Sequence, residues 1–367
     1  MKKIFLYAYD RRNLGDDLFV HVITKRYPDV KFYMWSDKVN RETFASLPNL
    51  KVIDKDSRFV HFLNRLRPSL VARYKAWLEK RCDAVVYIGG SIFMEYPNWE
   101  QISTWWEYEA ENRPFYVLGA NFGPYHTEAY REKMASIFGK MRDVCFRDRY
   151  SNKLFSDVPT VRYAPDILFS YPMPAVDVKE KQIFVSVIDC AGRDESHSLS
   201  EFDSRYVTNM ADMLRGYLND GYDLVMASFC KEEGDESGIT KILRAMGCEN
   251  HPSIRIICYD GTNADELTTA ISESALVIAT RFHATILAMA AGRPVLPIVY
   301  SDKTLHVLED LGYNELILDL RKSNSEYSES ATIICSEYHN SRITTSADHF
   351  SELDKLTNIR SKNEPLL

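Results

Sequence analysis

The chain has 367 residues, 45% of them hydrophobic and 26% charged, with a net charge of −7. That length suits two domains, each large enough for its own core, and the acidic balance argues against general nucleic-acid binding, which shows as a basic domain. The seven cysteines, at 82, 145, 190, 230, 248, 258 and 335, have no CxxC spacing, so they read as reduced thiols of a cytosolic protein rather than zinc ligands.

In chain order, Met1-Lys2-Lys3 precedes a short apolar run that Asp10-Arg11-Arg12 ends. The run is too short for a signal peptide and reads as a first buried strand. No stretch reaches the ~20 apolar residues that span a bilayer, so the expected location is the cytoplasm or the inner face of the membrane. Further strands are predicted at 31–35, 84–88, 115–118, 144–147 and 161–164, with helices at 16–26 and 125–140 among them. Around 167–178 the pattern breaks, and Tyr171-Pro172-Met173-Pro174 reads as an extended linker. A second series follows, with strands at 183–187, 223–227, 255–258, 275–279 and 295–299 and helices at 201–219, 239–246, 264–273 and 284–291. Asn219-Asp220-Gly221 supplies a helix stop. A Ser-rich tail, 322–346, and a last helix at 348–360 complete the chain, and that helix is a candidate to pack back on the first domain.

Alternating strands and helices predict parallel sheets covered on both faces. The fold class is α/β: two doubly wound domains, 1–172 and 178–320, facing a cleft, followed by a tail at 321–367. In such sheets ligands bind at the carboxyl ends of the strands.

Several segments sit at those ends. Arg281 and His283 lie in Thr280-Arg281-Phe282-His283-Ala284, between an apolar strand and a helix. A helix N-terminus favours anions, Arg281 offers a planar fork for phosphate or carboxylate, and His283 can move a proton near neutral pH. Asn13-Leu14-Gly15-Asp16-Asp17 follows the first strand. Gly15 permits close ligand approach, while Asp16 or Asp17 serves either as a helix cap or in catalysis. Gly89 and Gly90, and then Asn121 and Gly123, form two more loops of this kind. Arg147 ends another strand and either faces a ligand or makes an interdomain salt bridge to Asp148 or Asp166, and Asp166 orients an arginine or marks a hinge. Lys303 either meets a phosphate or is an ordinary surface lysine. Trp105 and Trp106 offer flat faces for sugar rings or belong to the core. The segment 58–81 carries seven Lys or Arg and only Glu79 as an acid, interleaved with apolar residues. It reads as a basic amphipathic helix, for an anionic membrane or for covering the core.

With Asn13-Leu14-Gly15-Asp16-Asp17, Ile88-Gly89-Gly90, the 119–124 loop, Arg147-Asp148 with Ser151, Asp166, and Arg281-Phe282-His283-Ala284 with Gly292-Arg293-Pro294 in this order, the chain resembles the polysaccharide pyruvyl transferases. It departs from them at Arg12, at Phe282 and in the 119–124 loop, which lacks a middle glycine. The resemblance implies a fold like the B-type glycosyltransferases, phosphoenolpyruvate as donor with no further cofactor or metal, and a sugar or lipid-linked oligosaccharide acceptor. The product would be a pyruvate ketal on a sugar diol, with galactose across its 4,6- or 3,4-hydroxyls the leading candidate. On this reading His283 is the acid, Asp17 or Asp16 the base, and Arg147, Arg281, Lys303 and Gly123 hold the donor. Asn13, Gly15, Gly89, Gly90, Asn121, Trp105 and Trp106 face the acceptor. A nucleotide-sugar glycosyltransferase of the same fold is the rival, with Glu266 or Glu273 as its ribose ligand. A non-catalytic carbohydrate-binding protein is the third reading.

Overall fold

The structure, a computed structural model, describes residues 1–9, 11–191, 199–322 and 341–358. Cys335, most of the expected Ser-rich tail and the end of the expected last helix lie outside the described residues. The chain divides into two compact units: Met1–Asp10, Asp16–Ser170 and Thr344–Leu367 form one, and Arg11–Gly15 and Tyr171–Ile343 the other.

In the first unit the strands are β1 (Lys3–Tyr7), β2 (Lys31–Ser36), β3 (Leu50–Asp54), β4 (Ala84–Ile88), β5 (Phe115–Ala120), β6 (Asp143–Phe146) and β7 (Val161–Tyr163). They pair in parallel in the order β3-β2-β1-β4-β5-β6-β7. Around them lie α1 (Leu14–Arg26), α2 (Val39–Thr43), α3 (Arg58–Leu66), α4 (Pro68–Glu79), α5 (Trp99–Asn112), α6 (Glu128–Phe138) and α7 (Arg149–Leu154). Ile4, Phe5 and Leu6 of β1 and all of β5 are buried, as expected of parallel strands covered on both faces. One core is strongly aromatic: Phe93, Phe122, Phe138, Phe146 and Phe155 pack with Trp106 and Tyr130. The edge strand β3 is only half-buried along its length and reads Leu-Lys-Val-Ile-Asp, so no apolar run announces it.

The expected single helix over 58–81 is two helices. Ser57 caps α3, Arg67 is extended, and Pro68 opens α4 at its first position. Proline fits the first turn, where its missing N–H is not needed, but disfavours helix at the residue before it.

In the second unit the strands are β8 (Lys179–Ser186), β9 (Asp223–Ser228), β10 (Ile254–Cys258), β11 (Ser274–Ala279), β12 (Val295–Val299) and β13 (Leu318–Asp319). All pair in parallel, in the order β10-β9-β8-β11-β12-β13. The helices are α8 (Asp203–Asn219), α9 (Asp235–Met246), α10 (Ala264–Glu273), α11 (Phe282–Ala290) and α12 (Asp302–Leu311). Its core is mainly aliphatic, built on Ile183, Val185, Leu224, Met226, Ile278, Leu296 and Ile298. Both sheets have the doubly wound strand order, the first with one strand more. The order reverses between β1 and β4 and between β8 and β11, the positions where such folds place ligands.

A 3-10 stretch, Ser341–Phe350, re-enters the first unit at Thr344, and α13 (Ser351–Thr357) follows within it. Phe350 and Leu353 are fully buried there. Asp354 takes both a bidentate pair from Arg26 and the Tyr27 hydroxyl, at 2.7–3.2 Å. No helix among the described residues is long and apolar enough to cross a membrane.

Candidate active site

At the reversal point of the second sheet, β11 ends at Ala279 and α11 begins at Phe282. The intervening turn is pinned to β8: Ser186 Oγ accepts the backbone N–H groups of Thr280 and Arg281, each at 3.1 Å. The Thr280 hydroxyl lies 3.0 Å from that of Tyr206.

The sequence suggests an open guanidinium at Arg281, and the structure corrects this. The Arg281 side chain is only 8% exposed and is paired with Glu233 and Asp235. Its Nε lies 3.0–3.1 Å from both Asp235 oxygens. Asp235 Oδ2 also accepts the N–H groups of Phe229 and Cys230 at the end of β9. Burial opposes charge on Arg281, but the two carboxylates outweigh it and hold the guanidinium protonated. Burial raises Asp235 against the lowering effect of Arg281. One cation facing two carboxylates leaves no local positive surplus for a ligand anion. Glu233 is the more accessible partner, half-buried at 27%, whereas Asp235 is fully buried. Asp235 and Glu233 were missed because nothing in the 229–235 loop connects it by sequence to a turn almost fifty residues later.

His283, half-buried on the first turn of α11, touches the segment after β1. A Cβ added to Gly15 would lie 1.7 Å from His283 Nδ1 and 2.6 Å from its Cβ. Gly15 therefore makes room for the imidazole, not for a ligand. Leu14 N–H donates to the Phe229 carbonyl at 3.1 Å, which ties this segment to the end of β9. Asn13 Oδ1 accepts the Gly15 N–H at 3.2 Å, so Asn13 caps α1. The expected cap at Asp16 or Asp17 is corrected: both lie inside the first turn, where acids suit the helix dipole. Asp17 is 1% exposed and Asp16 is half-buried.

The remaining motifs form a network within the first unit. Arg147 follows β6 and is 2% exposed. It donates to Asp166 at 3.0 Å and to Asn121 Oδ1 at 2.9 Å. Asn121 N–H donates to the Gly90 carbonyl at 2.9 Å. A Cβ on Gly90 would fall 2.6–2.8 Å from the Arg147 guanidinium, so this glycine too makes room for a motif side chain. Asp166 accepts the Leu168 N–H at 2.9 Å. Arg147 and Asp166 belong to one unit, so the expected interdomain bridge is an internal one. Asp148 caps α7 through Ser151, whose Oγ accepts the Phe122 N–H at 2.8 Å. Gly123 is held by the Phe93 carbonyl at 2.7 Å. Gly89 is buried beside the side chains of Ile92 and Tyr87.

Trp106 is 4% exposed and stacks on Tyr87, so the expectation of a sugar platform is corrected to a core residue. Trp105 is half-buried, edge-on to Tyr7 and Trp106. Both belong to α5, where as adjacent residues they sit about 100° apart around the helix, Trp106 on its buried side. Lys303 is half-buried in the first turn of α12. Glu266 and Glu273, the residues a ribose ligand would need, pair instead with Arg255 and Lys179 at the surface. Among the described residues, no group of three His, Cys, Asp or Glu side chains is arranged to hold a metal ion.

Solved structures share this fold. HepE of Anabaena, in complex with UDP and glucose, is similar with a TM-score of 0.57 and 13% identity, covering 98% of each chain. The UDP-GlcNAc 2-epimerase of Methanocaldococcus jannaschii reaches a TM-score of 0.60 at 8% identity, over 98% of this chain and 100% of that one. At such identities the likeness shows the fold, a pair of Rossmann-like domains of the B-type glycosyltransferase kind. By sequence, the chain is 22% identical to the amylovoran biosynthesis protein AmsJ of Erwinia amylovora over 262 residues, 66% of this chain. The matched stretch spans 62% of that relative's length. The profile of the family described as polysaccharide pyruvyl transferase matches residues 13–302, a span that holds the Asn13 segment, the Arg147 network and the Arg281–His283 turn, and the chain belongs to that family.

Proposed function

We propose that the protein transfers the pyruvyl unit of phosphoenolpyruvate to two hydroxyls of one sugar, making a cyclic ketal in a surface polysaccharide. The acceptor is a sugar or a lipid-linked oligosaccharide, with galactose the first candidate. Family membership and the name of the Erwinia relative support the reaction class. The observation that carries the reading is His283, fixed at the β11–α11 turn against Gly15 of the family's first motif.

In this scheme a proton goes to the methylene carbon of the donor, and the adjacent carbon becomes oxocarbenium-like. One sugar hydroxyl adds there, phosphate leaves, and the second hydroxyl closes the ring. The two hydroxyl protons balance the one gained by carbon and the one carried away with phosphate. His283 is the proton donor or assists the leaving phosphate. Asp16 is the more accessible of the two candidate bases, and buried Asp17 supports its turn. The donor anion meets the N-terminal turn of α11 and Lys303. Arg281 joins by exchanging Glu233, the more accessible of its two carboxylate partners, for a carboxylate or phosphate of the donor, while Asp235 keeps it in place. Arg147 holds the ends of β4, β5 and β6 together.

Calorimetric titration with phosphoenolpyruvate and a panel of nucleotide sugars tests the donor. Saturable phosphoenolpyruvate binding, tightened in Glu233→Gln, is expected. Binding of a nucleotide sugar instead would transfer the chain to the glycosyltransferase reading. His283→Ala should fold normally and lose turnover by ~10²-fold or more. Near-native turnover in this variant would remove the proton-transfer role.

A further inference from the structure

The α3–α4 pair carries an apolar stripe that the first unit does not bury. Phe59, Phe62 and Leu66 are 53%, 57% and 56% exposed. Their spacing of three and four residues sets them on one face of α3, the face a helix normally turns to a core. Only Val60 of this helix is buried. On α4, Trp77 is 50% exposed and stacks on Tyr74, which meets Phe59 edge-on at 5.2 Å. The result is one continuous aromatic row.

Cations surround the row. Arg58, Arg65, Arg67, Arg73, Lys80 and Arg81 are exposed, and the Arg81 guanidinium lies over the Trp77 ring at 4.7 Å. Lys75 is not part of this face, since it sits over the Tyr7 and Trp105 rings and burial lowers its pKa. The only acid between 58 and 81, Glu79, is buried and bonded to Tyr7 and Arg113. A chain of net charge −7 thus places six exposed cations and no exposed acid between residues 58 and 81, beside exposed aromatics.

We propose that this face seats on an anionic lipid bilayer. Phe59, Phe62, Leu66 and Trp77 enter the boundary between headgroups and acyl chains, and the arginines meet lipid phosphates. The six cations select this occupant over a second copy, because two such faces would repel each other. The inference stands apart from donor chemistry, and its test uses no substrate.

Full-length protein is sedimented with phosphatidylcholine vesicles and with vesicles that also contain phosphatidylglycerol. Two variants accompany it: Arg58→Glu/Arg65→Glu/Arg73→Glu, and Phe59→Ser/Phe62→Ser/Leu66→Ser. Thermal melting checks that both are folded, which is expected because these side chains are exposed. The wild type should pellet with the anionic vesicles alone and release as salt rises. Each folded variant should bind at least tenfold more weakly. Equal pelleting of wild type and the charge-reversed variant overturns the proposal, as does a wild type that stays in the supernatant. A wild type that dimerises in light scattering and ignores vesicles assigns the face to a second copy and equally overturns it.

Discussion

Gly15→Ala tests the coupling between the first motif and the imidazole. Helix propensity alone favours alanine, by up to about 1 kcal/mol in a helix interior. The packing decides otherwise. The new methyl would lie 1.7 Å from His283 Nδ1 and 2.1 Å from Cγ, where ordinary contact begins near 3.4 Å. Turning the ring about its first side-chain bond would move those two atoms. It would not move His283 Cβ, which is itself only 2.6 Å away. Backbone must therefore shift, in the Arg11–Gly15 segment or at the start of α11. Overpacking of this kind costs about 1–3 kcal/mol. A reacting group displaced by about 1 Å loses on the order of 10²-fold in rate. The expected outcome is a folded protein with a lower urea midpoint, and a fall in ketal formation much larger than the loss of stability explains. Both are read from one preparation, by denaturation and by release of phosphate from phosphoenolpyruvate with a galactoside acceptor. Wild-type turnover together with a wild-type midpoint would refute the contact and the role built on it.

Two further outcomes follow from the buried charges. Arg281→Ala leaves Asp235 buried without its cation, which should lower stability by about 3–5 kcal/mol, and Arg281→Ala/Asp235→Asn should recover part of that in urea denaturation. A lone Arg281→Ala as stable as wild type would mean that the pair is not buried in solution. In the first unit, His349 is fully buried, and burial, helped by Arg162, pushes its pKa down to about 3. The unfolded imidazole titrates near 6.5, so the stabilisation is complete above that pH and is lost as pH falls towards 3. Between pH 7 and pH 5 the loss from this group is about 2 kcal/mol, and His349→Gln should flatten the urea midpoint over that range by a matching amount. Parallel pH slopes in the two proteins would refute it.

Much of the architecture was legible because central parallel strands are apolar on both faces. The runs at β1, β4, β5, β8, β11 and β12 announce themselves, and the strand-to-helix turn at Arg281 follows from them. Half-buried β3 and two-residue β13 carry no such run. In α5 the adjacent Trp105 and Trp106 suit sugar platforms by residue type, and only the packing of Trp106 on Tyr87 shows that it belongs to the core. The glycine motifs are legible as positions, but their role is not. Sequence shows that a Cβ is absent at Gly15 and Gly90, but not what fills the space, and in both cases it is another motif residue from a distant strand end. The same limit hid Asp235 and Glu233, since a buried pair is a three-dimensional fact with no local signature.

The return of α13 to the first unit has a consequence for the order in which a ribosome would complete the protein. Residues up to Ser170 leave the exit tunnel early, but Arg26 and Tyr27 must wait for Asp354, and Arg162 for the carbonyls of Asp348 and His349. At ~5–20 residues per second the interval is roughly 10–30 s. Throughout it, the surface later covered by Phe350 and Leu353 is bare while the whole second unit is being made. The first unit is thus begun first and closed last, and a nascent chain stalled before residue 344 should be a preferred client for chaperones that recognise exposed apolar surface.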